Sequence, residues 1–224
     1  MIKKDTGFLP EDQRTRRRNT VAALHRFLEY FHSESETMLG LYGAFSYDLA
    51  RLFEDLPAEH PERPEIPEYR FFLYDSFVRM DLIKDRAEVI CYRSSQLEAE
   101  QATERIAQRA KDDVVSCPYF SVGDIGCDTE QEDYEALVRA AKQLAKQGDT
   151  FEVVFSRCFS GAFFGDPFAV YRIYREKNPA PYLFFIDFGD DQLVGASPEM
   201  MVRVERGKAH LRPISGPRPR GGRR

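Results

Sequence analysis

Glu152 is the residue of this chain whose type and surroundings most suggest chemistry. It lies in the sequence TFEVVFSR, between Phe151 and Val153. The alternation of side chains predicts a strand with Phe151 and Val153 on one face and Glu152 on the other. A carboxylate in an apolar setting is costly to bury without a partner, so it would line a pocket and transfer protons there. Spacing alone favours the other interpretation, which is an exposed strand face with no chemical role.

A second candidate for ligand binding is the stretch PISGPRPRG, which contains Ser215, Gly216, Pro217 and Arg218. Its prolines and glycines take it out of regular structure. Backbone amides beside arginines suit a carboxylate or another anion. The alternative is a disordered basic tail. Upstream of it, Ser197-Pro198-Glu199 predicts a turn with a capping acid, which is a structural role.

The helix before Glu152 and the strands after it would position these groups. Thr129 and Glu132 have the spacing of a capping box, and an apolar stripe then predicts a helix that ends at Gly148. Before that helix, residues 114–128 predict an irregular bridge. After Glu152 the pattern predicts paired strands at residues 182–188, 192–195, 200–204 and 208–212.

The first half of the chain predicts a supporting region of helices and strands. Apolar residues recur at helical spacing from Val21 to Phe31. The following stretch alternates like a strand, in which Gly40 and Gly43 predict close backbone packing. Prolines between residues 57 and 67 predict a surface loop. Beyond this loop the pattern predicts an antiparallel meander at residues 69–74, 76–83 and 87–92, and then a helix at residues 98–111.

Composition excludes several classes of protein. The 224 residues carry a net charge of −5, which argues against a general affinity for nucleic acid. A hydrophobic content of 42% with 31% charged residues is that of a globular protein. The four cysteines form no CxxC pair, so we expect no metal site of the zinc type. Because the sequence contains no apolar run long enough for a membrane span and no signal peptide, we expect a cytoplasmic protein without a membrane partner.

Four ordered motifs carry a resemblance to a known family. The motifs GDTFEVVFSR, NPAPYLFFIDF, LVGASPEM and RPISGPRPRG resemble consecutive motifs of the chorismate-utilising enzymes, in particular of anthranilate synthase component I. The stretch LGLYGAFSYDLARLFED resembles the region that precedes them, so the resemblance covers nearly the whole chain. It is nearest to the subgroup fused to a glutamine amidotransferase and to the phenazine-pathway relatives. The resemblance implies an α+β fold of sheets backed by helices, with a supporting region at residues 1–120 and the first part of the chorismate-binding region at residues 121–224.

The resemblance also implies an activity. Members of this family are lyases that bind chorismate with Mg²⁺, add ammonia from a glutamine amidotransferase partner, and release anthranilate and pyruvate in tryptophan biosynthesis. Glu152 matches the position at which water-adding members keep a lysine base, so its carboxylate favours an ammonia-using member and a catalytic role. Gly216 and Pro217 match a Gly-Thr pair that contacts the substrate, although the threonine is a proline here. Pro181, Tyr182 and Leu183 match a segment that binds the inhibitor tryptophan.

Several alternatives remain open within this resemblance. The magnesium-binding glutamates and the catalytic histidine of the family match no residue of this chain, because their positions lie beyond Arg224. We therefore expect a fragment that is inactive by itself and whose own residues include no metal ligand. The product could instead be that of an aminodeoxychorismate or aminodeoxyisochorismate synthase. A further alternative is a non-catalytic fragment that binds an amidotransferase partner.

Overall fold

A computed structural model describes residues 10, 13, 20–33, 35–36, 38–54, 66–112 and 119–214. The chain divides into two compact units, residues 1–114 and residues 115–224. The predicted proline loop at residues 57–67 lies almost entirely outside the described residues.

The described residues of the first unit form two antiparallel strand pairs and two α-helices. The strand pairs are β1 (Leu41–Phe45) with β2 (Tyr69–Leu73), and β3 (Ser76–Asp81) with β4 (Arg86–Cys91). The helices are α1 (Val21–Tyr30) and α2 (Gln96–Arg109), and a 3-10 helix spans Tyr47–Leu52. Helix α2 packs against β4. The predicted meander is wrong in part, because among the described residues β2 pairs with β1 and not with β3.

Gly43 permits the close approach of β1 and β2. It lies opposite Phe71 in the register of this pair. A Cβ atom at this position would overlap the carbonyl oxygen of Arg70 and lie 2.9 Å from the Phe71 Cα atom. The prediction of close backbone packing is therefore confirmed at Gly43. It is wrong at Gly40, where a Cβ atom would have nothing within 4 Å.

An aromatic cluster connects the two strand pairs of the first unit. The ring of Tyr42 lies 5.7 Å from that of Tyr74 and 5.4 Å from that of Phe77, and Phe77 lies 6.0 Å from Tyr92. The hydroxyl of Tyr92 donates a hydrogen bond to Glu36 Oε2 at 3.0 Å. The main cause that raises the pKa of Tyr92 above its usual 10.0 is the loss of solvent around its hydroxyl, and the second is this hydrogen bond. Side-chain packing thus joins strands that share no backbone ladder.

The described residues of the second unit form four short antiparallel strand pairs and two helices. The pairs are β5 (Phe120–Val122) with β8 (Phe163–Gly165), β6 (Gly126–Cys127) with β7 (Phe159–Ser160), β9 (Tyr182–Asp187) with β10 (Gln192–Ser197), and β11 (Arg203–Glu205) with β12 (Lys208–His210). The helices are α3 (Gln131–Gln147) and α4 (Pro167–Lys177). The hairpin predictions for β9–β10 and β11–β12 are confirmed, although β11 and β12 are shorter than expected.

Helix α4 covers one side of the β9–β10 hairpin. It begins after Asp166, whose carboxylate accepts a hydrogen bond from the Phe168 N–H at 2.9 Å. The ring of Phe168 stands perpendicular to that of Phe185 on β9, with centroids 5.2 Å apart. Ala169 is only 2% exposed and forms the tightest point of this small core. The sequence pattern did not predict this helix.

Two predictions around α3 need correction and one is confirmed. The helix ends at Gly148 with φ 88°, a left-handed value that glycine adopts without strain. The capping box is wrong, because the residue before the helix is Glu130 and Thr129 instead donates its hydroxyl to Asp128. The bridge predicted at residues 114–128 is not wholly irregular, since β5 and β6 lie within it.

Candidate functional site

The segment that carries Glu152 is extended but belongs to no strand. Residues 152–158 form no backbone ladder, so the predicted strand from Phe151 to Cys158 is wrong. The segment instead runs back along α3, where the ring of Phe155 meets that of Tyr134 edge-on at 6.4 Å. An alternating sequence does not become a strand unless a neighbouring strand offers free backbone groups. Helix α3 offers none, since its backbone groups bond within the helix.

Side-chain hydrogen bonds and one backbone hydrogen bond fix the far end of this segment. Arg157 donates from Nε and from one terminal nitrogen to the Thr129 carbonyl oxygen, at 3.1 and 2.7 Å. Asp128 and Cys158 exchange two hydrogen bonds, from Asp128 N to Cys158 O at 3.0 Å and from Cys158 N to Asp128 Oδ1 at 2.9 Å. The segment is thereby tied to the residues just before α3, where the β6–β7 pair begins.

The guanidinium of Arg157 also lies between two aromatic rings. Its central carbon is 5.6 Å from the Tyr134 ring centroid and 5.1 Å from that of Phe159. Each such contact contributes about 0.5–2 kcal/mol, depending on how far solvent is excluded. Arg157 is half-buried, so values towards the lower end apply. Arg157 follows Phe151, Val153 and Phe155 on the same face of the alternating sequence. A charged residue on this apolar face is a sequence signal for such a contact, and the role of Arg157 was not predicted from it.

An open groove of about 360 Å³ lies between α3 and residues 150–155. Apolar side chains form most of its lining, namely those of Val138, Ala141, Ala145, Val153 and Phe155. Lys142 and Glu152 supply its charged groups. The Glu152 carboxylate is exposed and makes no hydrogen bond or ion pair with any described residue. It is therefore free to hold a cationic ligand, and its catalytic role stays a prediction.

A second cluster gathers at one end of the β9–β10 hairpin. Tyr182 lies opposite Ser197 in the register. The Ser197 hydroxyl donates to the Glu199 carbonyl oxygen at 3.2 Å and accepts from the Glu199 N–H at 3.4 Å. These bonds confirm the predicted turn, but the Glu199 carboxylate does not cap it. The Glu199 carboxylate accepts a hydrogen bond from the Ile214 N–H at 3.1 Å. The structure thus brings Tyr182 and the residue that precedes Ser215 to the same end of one hairpin.

The other predicted binding residues fall into two groups. Ser215, Gly216, Pro217 and Arg218 lie outside the described residues. Pro181 and Tyr182 are exposed at the start of β9, and Leu183 is half-buried. No hydrogen bond or ion pair within the described part of the chain joins Glu152 to this hairpin cluster. The assigned roles of all these residues stay predictions.

The described residues do not fit a magnesium site. Among them, no group of three or more His, Cys, Asp or Glu side chains could hold a metal ion. The Glu199 carboxylate is occupied by the Ile214 N–H, and Glu152 has no second carboxylate bonded beside it. No step of a reaction is therefore assigned to a metal held by these residues. Across the same part of the chain, no helix combines the length and apolarity that a membrane span requires.

The chain belongs to the family of chorismate binding enzymes, whose sequence pattern matches residues 2–224. It is 36% identical over 217 residues to the anthranilate synthase of Azospirillum brasilense, which covers 95% of this chain and 29% of that protein. It is 35% identical to anthranilate synthase component 1 of Cereibacter sphaeroides, covering 81% of this chain and 39% of that protein. It is 31% identical to anthranilate synthase component 1 of Thermus thermophilus, covering 97% of this chain and 49% of that protein.

A solved structure shows the same fold. The anthranilate synthase component I of Streptococcus pneumoniae superposes with a TM-score of 0.73 at 29% sequence identity, over 86% of this chain and 46% of that one. The predicted family and the α+β fold class are therefore confirmed. The chain spans less than half the length of each of these relatives.

Proposed function

We propose that this chain is part of an anthranilate synthase large component, a lyase that converts chorismate and ammonia to anthranilate and pyruvate. Its similarity to bacterial proteins named anthranilate synthase supports this assignment. The observation that carries it is the unpaired Glu152 carboxylate on a segment anchored to α3. A carboxylate at this position attracts an ammonium ion, and it stands where the water-adding members of the family keep a lysine base.

The remaining parts of the proposal concern the substrate and its partners. Ser215, Gly216, Pro217 and Arg218 would contact a chorismate carboxylate, and the hairpin end with Pro181, Tyr182 and Leu183 would take tryptophan as inhibitor. The ammonia would come from a glutamine amidotransferase subunit or fused domain. Mg²⁺ enters the proposal only through the family, with ligands other than the described residues. The proposed setting is tryptophan biosynthesis in the cytoplasm.

Calorimetric titration of chorismate into the 224-residue chain tests the substrate. We expect saturable binding that weakens when Glu152 is replaced by Gln. The matched control is Glu205→Gln, which changes an exposed carboxylate that pairs with Arg203 on β11. No heat of binding at millimolar chorismate would overturn the proposal. Equal weakening by both variants would remove Glu152 from it.

The reaction itself is tested by adding the part of the relatives that this chain does not match. We expect no anthranilate fluorescence from the chain alone with chorismate, Mg²⁺ and ammonium. With the complementary segment we expect ammonium-dependent anthranilate and pyruvate. Mass spectrometry separates the competing candidate, because an aminodeoxychorismate or aminodeoxyisochorismate product keeps the enolpyruvyl group. Such a product would replace anthranilate synthase by that second activity.

A further inference from the structure

We infer that Arg157 is the positioning residue of the Glu152 segment, because its guanidinium joins the Thr129 carbonyl and the Tyr134 and Phe159 rings on the side of the chain opposite to Glu152. The inference deepens the proposed function and rests on it for the ligand. It assigns Arg157 no contact with the substrate. Its effect on chorismate binding would pass through the position of Glu152.

The first support is the alternation of exposure along the segment. From Val154 to Cys158, Phe155 and Arg157 are half-buried and the residues beside them are exposed, whereas residues 151–154 are all exposed. In a ladder, backbone hydrogen bonds would impose this alternation, but residues 152–158 have no ladder. The side chains of Phe155 and Arg157 therefore hold the end of the segment from which Glu152 extends.

The second support is the geometry of the guanidinium group. Two of its nitrogens donate to one carbonyl oxygen, while its central carbon lies over two aromatic rings. A planar fork makes both kinds of contact at once, and an ammonium group on a flexible stem does not. The arrangement is thus specific to arginine and not merely to a positive charge.

The third support is that no carboxylate within the described residues pairs with Arg157. This distinguishes it from Arg139 on α3, which is 67% exposed and lies 3.6 Å from the Glu135 carboxylate. Arg139 belongs to an exposed ion pair, and such pairs contribute little to the free energy of folding. Arg157 therefore acts through a carbonyl oxygen and two rings instead of through charge pairing.

The fourth support is the weakness of the direct restraints on Glu152. Within the described part of the chain its carboxylate has no partner, and its backbone carbonyl accepts a hydrogen bond from the Thr150 hydroxyl at 3.2 Å. Gly148 ends the helix on one side, and Arg157 anchors the chain on the other. Without Arg157, that end would be held by the Asp128–Cys158 bonds and the Phe155–Tyr134 ring contact alone.

The test compares Arg157→Ala and Arg157→Lys with the matched control Arg139→Ala. Two quantities are measured on the full chain, the Kd for chorismate and the NMR order parameters of the backbone from residue 153 to residue 157. We expect Arg157→Ala to weaken chorismate binding about tenfold, which corresponds to about 1.4 kcal/mol. Order parameters should fall from the rigid range of about 0.85 towards 0.6. Arg139→Ala should leave both quantities unchanged.

Chemical rescue and the lysine variant separate positioning from general support of the fold. Millimolar methylguanidine should restore chorismate affinity to Arg157→Ala, and Arg157→Lys should behave like Arg157→Ala although it keeps the charge. Wild-type affinity and order in either variant would overturn the inference. If the wild-type chain fails to bind chorismate, the proposed function fails. The order parameters and their recovery with methylguanidine still decide the role of Arg157.

Discussion

The carboxylate of Glu199 accepts a hydrogen bond from the backbone N–H of Ile214, at 3.1 Å and across fifteen residues of chain. We predict that Glu199→Ala speeds the hydrogen exchange of the Ile214 amide about three- to tenfold, since a bond to a charged group in an exposed setting stabilises by about 1 kcal/mol. Glu199→Gln keeps an acceptor oxygen and should leave the rate nearly unchanged. NMR-detected exchange measures both variants. Equal rates in Glu199→Ala and the wild type would contradict the role assigned to this bond.

Gly43→Ala should destabilise the first unit. The new methyl group would overlap the Arg70 carbonyl oxygen and lie 2.9 Å from the Phe71 Cα atom, so the β1–β2 backbones must move apart. We predict a loss of about 1–3 kcal/mol in the free energy of unfolding, measured by urea denaturation. Gly40→Ala is the matched control, because a Cβ there has nothing within 4 Å. A control that costs as much as Gly43→Ala would contradict the assigned overlap with the β2 backbone, because the effect of Gly→Ala on the unfolded chain is stabilising.

Asp166→Ala should loosen helix α4. The Asp166 carboxylate caps the helix through the Phe168 N–H, and Pro167 occupies the first helical position. Loss of such a cap costs about 0.5–2 kcal/mol. Asp166→Asn keeps the acceptor and should cost only a fraction of this amount in urea denaturation. If the two variants are equally destabilised, the charge of Asp166 and not its hydrogen bond stabilises the helix start.

As the pH falls, the start of helix α2 should lose stability at a lower pH than it would if Glu98 had an ordinary pKa. The Ser94 hydroxyl, which donates to Glu98 Oε2 at 2.7 Å, is the main cause that lowers the pKa of Glu98 below its usual 4.5. A depressed carboxyl pKa adds stability that is present above the unfolded value and is lost as the pH falls through the folded value. Ser94→Ala should move the pKa of Glu98 upward in an NMR titration. An unchanged titration in this variant would contradict the assigned cause.

Local patterns predicted the elements that are short-range in sequence. Gly148 ends its helix as expected because a left-handed residue is needed there and glycine adopts it freely. The β3–β4 and β9–β10 hairpins also follow from alternation with an intervening turn, since each strand finds its partner within a few residues. Part of the candidate site was predictable for the same reason, because Ser197 and Glu199 form a local turn.

Long-range pairing was not predictable from the pattern. Alternation shows that a segment can form a strand, but it does not name the partner. Residues 69–73 pair with β1 instead of β3, and residues 152–158 pair with no strand. The role of Arg157 depends on Thr129, 28 residues earlier in the chain, so local spacing does not reveal it. Helix α4 is a different case. Asp166 followed by Pro167 is a local signal for the start of a helix, so this helix could have been predicted from the sequence.

The paired hydrogen bonds between Asp128 and Cys158 close a loop in which the bonded residues are 30 positions apart. Helix α3 fills most of this loop, so closure restricts far fewer freely rotating residues than a flexible chain of that length would contain. The stability of helix α3 and that of the Glu152 segment are thus linked, because loss of the Asp128–Cys158 hydrogen bonds frees both. We therefore expect heat or denaturant to separate the Glu152 segment from helix α3 in one cooperative local step, before the rest of the chain unfolds.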